Sequence, residues 1–293
     1  MTRRVGVVGT GMLGLAVALR LVERGFEVTA YNRTMSKAAP VEAAGGRVAD
    51  TPAEAAAYSD VVVTVVRDAE AVRAVSFGQG GILSGCGGKT VVADMSTIAP
   101  SDSVSIYRRF AEERIPWLDT PVMGGPDAAA EGRLVVMVGG DKEAYQSVED
   151  MYAALSEKRY YLGEAGTAHS IKLCMNLQIA MLAVSISEGV CLAQGLGVSP
   201  ETFLNVLNST YFGTGMSRKK AYRMIQEKYP ATFTLDNLAK DLDTIHEAAL
   251  DAGLNLEAAT GVLDMYKKAR KLGLGGLDYT GILEYVQKQA RGG

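Results

Sequence analysis

A lysine embedded in an apolar, helix-favouring run is the first pattern in this chain that could do chemistry. Residues 166–197 read GTAHSIKLCMNLQIAMLAVSISEGVCLAQGLG, without proline and apolar on more than one face. Lys172 and Asn176 lie one helical turn apart there and share a face. An ammonium among apolar neighbours must reach solvent, find a partner, or face a polar cleft. In a cleft it could stabilise a developing alkoxide and hand it a proton, while the Asn176 amide could donate to a carboxylate or hydroxyl. His169, three residues earlier, can share the face of Lys172 and is the rival acid/base, because imidazole titrates nearer neutrality. His246 falls inside a later helical segment and reads as structural.

A second pattern handles phosphate. Gly9-Thr10-Gly11-Met12-Leu13-Gly14 is a GxGxxG placed after a β-branched run, Val5–Val8, and before a helical one, Met12–Arg24. The first glycine permits a tight turn and the second lets backbone approach a pyrophosphate. The third permits close helix–sheet contact, with the helix N-terminus facing the anion. A preference for NAD calls for a carboxylate at the end of the next strand, to accept from the ribose hydroxyls. That end reads Tyr31-Asn32-Arg33-Thr34, a cation where the carboxylate would stand, which suits the 2′-phosphate of NADP.

The elements that must position these groups alternate. Strands are expected at Val5–Val8, Glu27–Tyr31, Arg47–Ala49, Val61–Val66, Thr90–Asp94, Trp117–Leu118, Leu134–Val138 and Tyr160–Leu162. Helices are expected between them at Met12–Arg24, Ser36–Ala44, Thr51–Tyr58, Ala69–Val75, Pro100–Arg114 and Lys142–Leu155, with Gly78–Gly88 a flexible surface connection. That alternation predicts a mostly parallel, doubly wound α/β sheet. After Gly166 strand signals stop. Pro200–Asn208, Ser217–Gln226, Leu235–Ala252, Leu256–Leu272 and Tyr279–Ala290 follow the long run as helices, with Gly213-Thr214-Gly215 an interhelical loop. The expected division is a dinucleotide-binding domain over 1–163 and an all-helical domain over 164–293 that begins with the long helix.

Composition sets the bounds. The chain has 293 residues, 48% hydrophobic and 22% charged, as expected of a globular protein with a substantial core. A net charge of −3 argues against a nucleic-acid or anionic-membrane surface. Cys86, Cys174 and Cys191 are scattered and odd in number, which fits reduced thiols in a cytoplasmic protein rather than a disulfide frame or a zinc site. No metal site is expected, and the opening residues show no signal-peptide pattern. Lys172, Asn176, Gln178 and Glu188 interrupt the long helix too often for a membrane span.

Three further stretches converge on one family. Asp119-Thr120-Pro121-Val122-Met123-Gly124-Gly125-Pro126 continues through Ala129, Gly132 and Leu134 to Met137-Val138-Gly139-Gly140. Gly163, Gly166, Lys172 and Asn176 form a second signature, and Lys240-Asp241-Leu242 a third. With the N-terminal glycine loop, these resemble the β-hydroxyacid dehydrogenases across nearly the whole chain. That family includes 3-hydroxyisobutyrate dehydrogenases and the tartronate semialdehyde and glyoxylate/succinic semialdehyde reductases.

The resemblance implies that Lys172 is the catalytic lysine and that Asn176 helps hold substrate beside it. It implies backbone amides at Gly124 and Gly125 for the substrate carboxylate, and a nicotinamide-side contact at Ser96-Thr97, chiefly Thr97. Val66 and Arg67 would line the cofactor, Lys240 would lie at it with Asp241 as partner, and Phe233 falls where some members place an aromatic at the substrate pocket. One departure stands out. Many members have serine where Met123 stands, and methionine has no hydrogen to donate to a carboxylate.

The expected activity is reversible, NADP-linked hydride transfer involving a small β-hydroxyacid, a semialdehyde or a glyoxylate-like oxoacid, NAD being the less favoured cofactor. The site is expected in an interdomain cleft at the carboxyl ends of the strands, in a homodimer or homotetramer. An imine reductase shares the architecture but usually lacks lysine at the position of Lys172. A non-catalytic NADP-binding module would lose that lysine and carry extra domains, and a 6-phosphogluconate dehydrogenase would have a longer helical half.

Overall fold

The computed structural model describes residues 3–291 and divides into two compact units, one up to Lys172 and one from Leu173 onward. The first unit contains the strands β1 (Arg4–Val8), β2 (Glu27–Tyr31), β3 (Arg47–Val48), β4 (Val61–Thr64), β5 (Val91–Asp94), β6 (Trp117–Asp119), β7 (Val122–Met123), β8 (Leu134–Gly140) and β9 (Ser156–Tyr161). Their order in the sheet is 3-2-1-4-5-6-8-7, with β9 beside β8. The six strands β3-β2-β1-β4-β5-β6 pair in parallel. β8 runs antiparallel to β6 and β7 and parallel to β9.

The apolar runs explain the layers. Successive strand residues point to opposite faces, so Val61 and Val63 of β4 enter one core cluster and Val62 enters another. β5 repeats this, with Val91 and Ala93 on one side and Val92 on the other. A strand that feeds two cores must be apolar throughout, as buried parallel strands are. This is a Rossmann-type, doubly wound and mostly parallel sheet.

Several local expectations change. Ser36–Ala44 is a 3₁₀ turn at Met35–Lys37 followed by a helix at Ala39–Ala43, because Pro40 starts a helix but cannot continue one. Lys142–Leu155 is two helices, Lys142–Ser147 and Glu149–Leu155, parted at Val148. Gly78–Gly88 is not merely a surface connection. It contains the helix Ile82–Gly85, which Ile82 anchors with a fully buried side chain. The glycine motif hides β7 and the helix Gly125–Glu131, although Pro126 at its start and left-handed Gly132 at its end mark both limits.

The helix Thr167–Gly195 begins in the first unit and runs on into the second, which is otherwise built of the helices Pro200–Ser209, Gly215–Gln226, Leu235–Asp251, Glu257–Lys271 and Ile282–Ala290. Ser199, Thr214 and Thr234 cap three of these through their hydroxyls. By length and composition the long helix could cross a membrane, with a mean hydropathy of 1.5 over its most apolar stretch. Packing accounts for that apolarity: Leu173, Ala180, Ala183 and Val184 join Leu238, Leu242 and Tyr266 in the core of the second unit.

Candidate active site

The glycine loop follows β1 directly. Gly9 has φ +101°, and a Cβ there would lie 2.3 Å from the Val65 carbonyl oxygen. A Cβ on Gly14 would lie 1.9 Å from the Gly9 oxygen, so the helix Met12–Glu23 leaves the loop in backbone contact with it. Gly11 is the opposite case: it is exposed, and a Cβ there would meet no atom within 4 Å. No side chain caps the helix at Gly11. Its first-turn amides therefore offer the positive end of the helix dipole to open space, the arrangement a pyrophosphate requires.

Asn32 follows β2 directly. Its Oδ1 accepts from the Thr10 amide at 3.0 Å and its Nδ2 donates to the Thr34 carbonyl at 2.9 Å, which holds the loop after β2 to the glycine loop. Arg33 and Thr34 are exposed beside it. After β4, the Val66 amide donates to Ser96 Oγ at 3.0 Å, and Arg67 lies exposed with its Nε 4.0 Å from the Asp68 carboxylate. Thr97 is half-buried next to Ser96. These loops at the carboxyl ends of β1, β2, β4 and β5 fit a bound dinucleotide.

Lys172 ends the first unit. Its half-buried ammonium donates to the Val122 carbonyl at 2.9 Å and lies 3.4 Å from Met123 Sδ. Gly124 and Gly125 follow with φ of +133° and +77°, and a Cβ on Gly125 would meet open space. The structure thus brings Lys172 to the loop that sequence pairs it with, and Met123 faces the ammonium with a weak acceptor where a hydroxyl could have donated.

His169 is not an acid/base competitor. Its side chain is fully buried, and Nε2 lies 3.0 Å from the Ser96 carbonyl oxygen, so that nitrogen carries the hydrogen. Nε2 is also 3.7 Å from Asp94 Oδ2, and Nδ1 is 3.8 Å from Asp119 Oδ2. Asp119 Oδ2 accepts the first-turn amides of Ala168 at 2.9 Å and His169 at 3.1 Å. Sequence reasoning missed this cluster, although carboxylates ending two adjacent strands were a visible signal.

In the second unit Asn176 is fully buried and its Nδ2 donates to Asp241 Oδ2 at 2.7 Å. Asp241 Oδ1 meets Lys240 Nζ at 2.5 Å. One N–H of the Asn176 amide therefore holds Asp241. Phe233 is half-buried with its ring centroid 6.0 Å from that of Tyr279. Its neighbour Thr232 binds Asp278, around which Lys220 and Arg223 also converge, a buried ionic group the sequence did not reveal. His246 lies inside the helix Leu235–Asp251. Among the described residues no group of His, Cys, Asp and Glu is arranged to hold a metal ion.

Sheet, glycine loop and uncapped helix define a dinucleotide-binding architecture. Residues 4–163 match the model of the NAD binding domain of 6-phosphogluconate dehydrogenase, and residues 166–286 match that of the NAD-binding part of NADP-dependent 3-hydroxyisobutyrate dehydrogenase. The chain is 30% identical to glyoxylate/succinic semialdehyde reductase 1 of Arabidopsis thaliana, over 97% of its own length and 98% of the relative's. A 3-hydroxyisobutyrate dehydrogenase from Salmonella typhimurium superposes with TM-score 0.88 at 24% identity, covering 96% of this chain and 99% of that one. Psf3, in complex with NADP+ and 2-OPP, does so with TM-score 0.90 at 22% identity, covering 96% and 99%. The chain belongs to the β-hydroxyacid dehydrogenase family. It is an NAD(P)-dependent hydroxyacid dehydrogenase or reductase.

Proposed function

We propose that this enzyme uses NADP to interconvert a small β-hydroxyacid and the matching semialdehyde or oxoacid, of 3-hydroxyisobutyrate, glyoxylate or succinic semialdehyde type, with Lys172 as general acid/base. The observation that carries this is the Lys172 ammonium at the Val122 carbonyl, beside Met123 and the Gly124-Gly125 turn. When bound, the nicotinamide supplies or accepts a hydride at C4. In the reducing direction Lys172 Nζ–H donates to the substrate carbonyl oxygen and stabilises the charge that develops there; in the oxidising direction the neutral amine takes the hydroxyl proton. Backbone amides at Gly124 and Gly125 would meet the carboxylate. Met123 leaves it without the serine contact, so the pocket would favour substrates whose carbon skeleton can touch a thioether. Asn176 would orient the reacting end through its oxygen and through Asp241, and Phe233 would line the apolar side.

The absence of a carboxylate after β2 and the exposed Arg33 support NADP, as does the NADP+ carried by Psf3. Exposed apolar side chains in the second unit, Leu196 at 74% and Tyr211 at 90% among them, support a homodimer or homotetramer. Three free cysteines support a cytoplasmic setting.

The test is a panel of β-hydroxyacids with NADP and of semialdehydes and glyoxylate with NADPH, run on the wild type and Arg33→Ala. Turnover of carboxylates, with NADPH preference falling in the variant, is expected. Equal kcat/KM with NADH would overturn the cofactor reading. Turnover of cyclic imines with failure of every carboxylate would overturn the substrate reading.

A further inference from the structure

We propose that His169 is a positioning residue that fixes the Ser96-Thr97 loop to the start of the long helix, and thereby sets where the Lys172 ammonium stands. The proposal rests on the reading of Lys172 as the acid/base.

Three adjacent parallel strands supply the foundation. β4, β5 and β6 end in Thr64, Asp94 and Asp119, each fully buried. Asp94 Oδ1 accepts from Thr64 Oγ1 at 2.6 Å and from the Ser96 amide at 3.2 Å, so the loop after β5 is folded back onto its own strand end. Ser96 Oγ in turn accepts the Val66 amide and ties in the loop after β4. Asp119 Oδ2 takes the amides of Ala168 and His169, which seats the helix start on β6. Two anchored assemblies result, one carrying Val66 and Thr97 and the other carrying Lys172 one turn further along the helix.

The His169 ring joins them. Its Nε2–H donates to the Ser96 carbonyl at 3.0 Å, while its backbone amide belongs to the Asp119 assembly. The ring is fully buried, with its centroid 6.3 Å from that of Trp117. An imidazole is rigid and presents its Nε2 hydrogen at a fixed reach, which suits it to hold two backbone segments in register. Without that donor a buried carbonyl loses its partner and the loop is free to shift. Displacing a reacting group by about 1 Å can cost on the order of 100-fold in rate.

Side-chain reach gives the test. Glutamine at 169 can carry an amide N–H to nearly the position of Nε2; asparagine carries the same amide one methylene short; leucine fills the space without a donor. His169→Leu and His169→Asn are expected to lower kcat about 10–100-fold, with NADPH affinity by fluorescence titration and substrate KM both within about threefold of wild type. His169→Gln is expected to recover kcat to within about threefold. The comparison of Gln with Asn stands even if the leucine variant does not fold. Equal kcat in Gln and Asn, whether normal or reduced, would overturn the proposal: normal values would make the ring a packing element, and reduced values would show that the donor's reach is not what matters. Lys172→Ala in the same assay separates the two readings. A near-normal rate there would remove the lysine from the mechanism, while a Gln-over-Asn order would still assign His169 to the Ser96-Thr97 loop.

Discussion

A buried ionic cluster lies in each unit among the described residues, and the two are finished differently. In the second unit Asp278 Oδ2 receives Lys220 Nζ at 2.9 Å, Arg223 Nη1 at 2.5 Å and Thr232 Oγ1 at 3.2 Å, while Oδ1 receives Thr280 Oγ1 at 2.8 Å. Arg223 also donates to the Pro230 carbonyl and the Tyr222 hydroxyl. In the first unit Asp94 Oδ2, Asp119 Oδ1 and His169 Nδ1 are all buried with no protein hydrogen-bond partner. The saturated cluster is a staple for the Pro230–Thr234 turn. The unsaturated one holds the loops after β4 and β5 and the start of the long helix, through Asp94, Asp119 and His169.

Substitutions on the two sides should separate rate from stability. Lys172→Ala, one turn beyond the first cluster, is expected to lower kcat by about 10²–10⁴-fold. Coenzyme affinity and the thermal midpoint should hardly move, because the side chain is only half-buried and its removal leaves the backbone of the Val122–Gly125 loop in place. Steady-state kinetics beside a melting curve check both halves. A normal kcat would end the contrast on the first side.

Asp278→Ala should do the reverse. It strands two buried cations, a change that typically costs about 3–5 kcal/mol. The urea midpoint of the full chain should fall sharply while kcat of the remaining folded protein stays within about threefold. A variant of unchanged stability would show that the staple contributes little.

Acid provides a milder version of the same break. Burial pushes the Asp278 carboxyl up, but the Lys220 charge and hydrogen bond, with Thr280 and Thr232, more than reverse it, so the group titrates below its ordinary 3.8. A carboxyl depressed in the folded state stabilises above its unfolded value, and the contribution is lost as pH falls through the folded one. Stability should therefore decline from about pH 4 downward, and Asp278→Asn should flatten that limb in a urea series. An unchanged acid limb would assign it to other carboxylates.

What sequence made legible follows the same division. Groups that work by backbone and spacing were readable, namely the Gly9–Gly14 turn, the long helix, and the approach of Lys172 to the Val122–Gly125 loop. Both ionic clusters went unread: strand-end carboxylates were visible, but their partners come from elements far apart in the chain, as His169 does from Asp94 and Asp119. Asn176 shows the limit on one side chain. Its place one turn from Lys172 was readable, but the direction of its amide was set by Asp241, which no local pattern brings near it. Likewise β7 is two residues long, too short to show a period.

The smallest effect tests how the first cluster seats the helix. Asp119 Oδ2 accepts two first-turn amides, at 2.9 and 3.1 Å, so it acts both as an acceptor and as a negative charge at the positive end of the helix dipole. Asp119→Asn keeps an oxygen in place and removes the charge. The loss should be about 1 kcal/mol, read as a small fall in the urea midpoint, with kcat reduced less than in His169→Asn because the bridge to Ser96 is untouched. A kcat loss as large as that of His169→Asn would mean that the carboxylate, and not the imidazole's reach, holds the two loops in register.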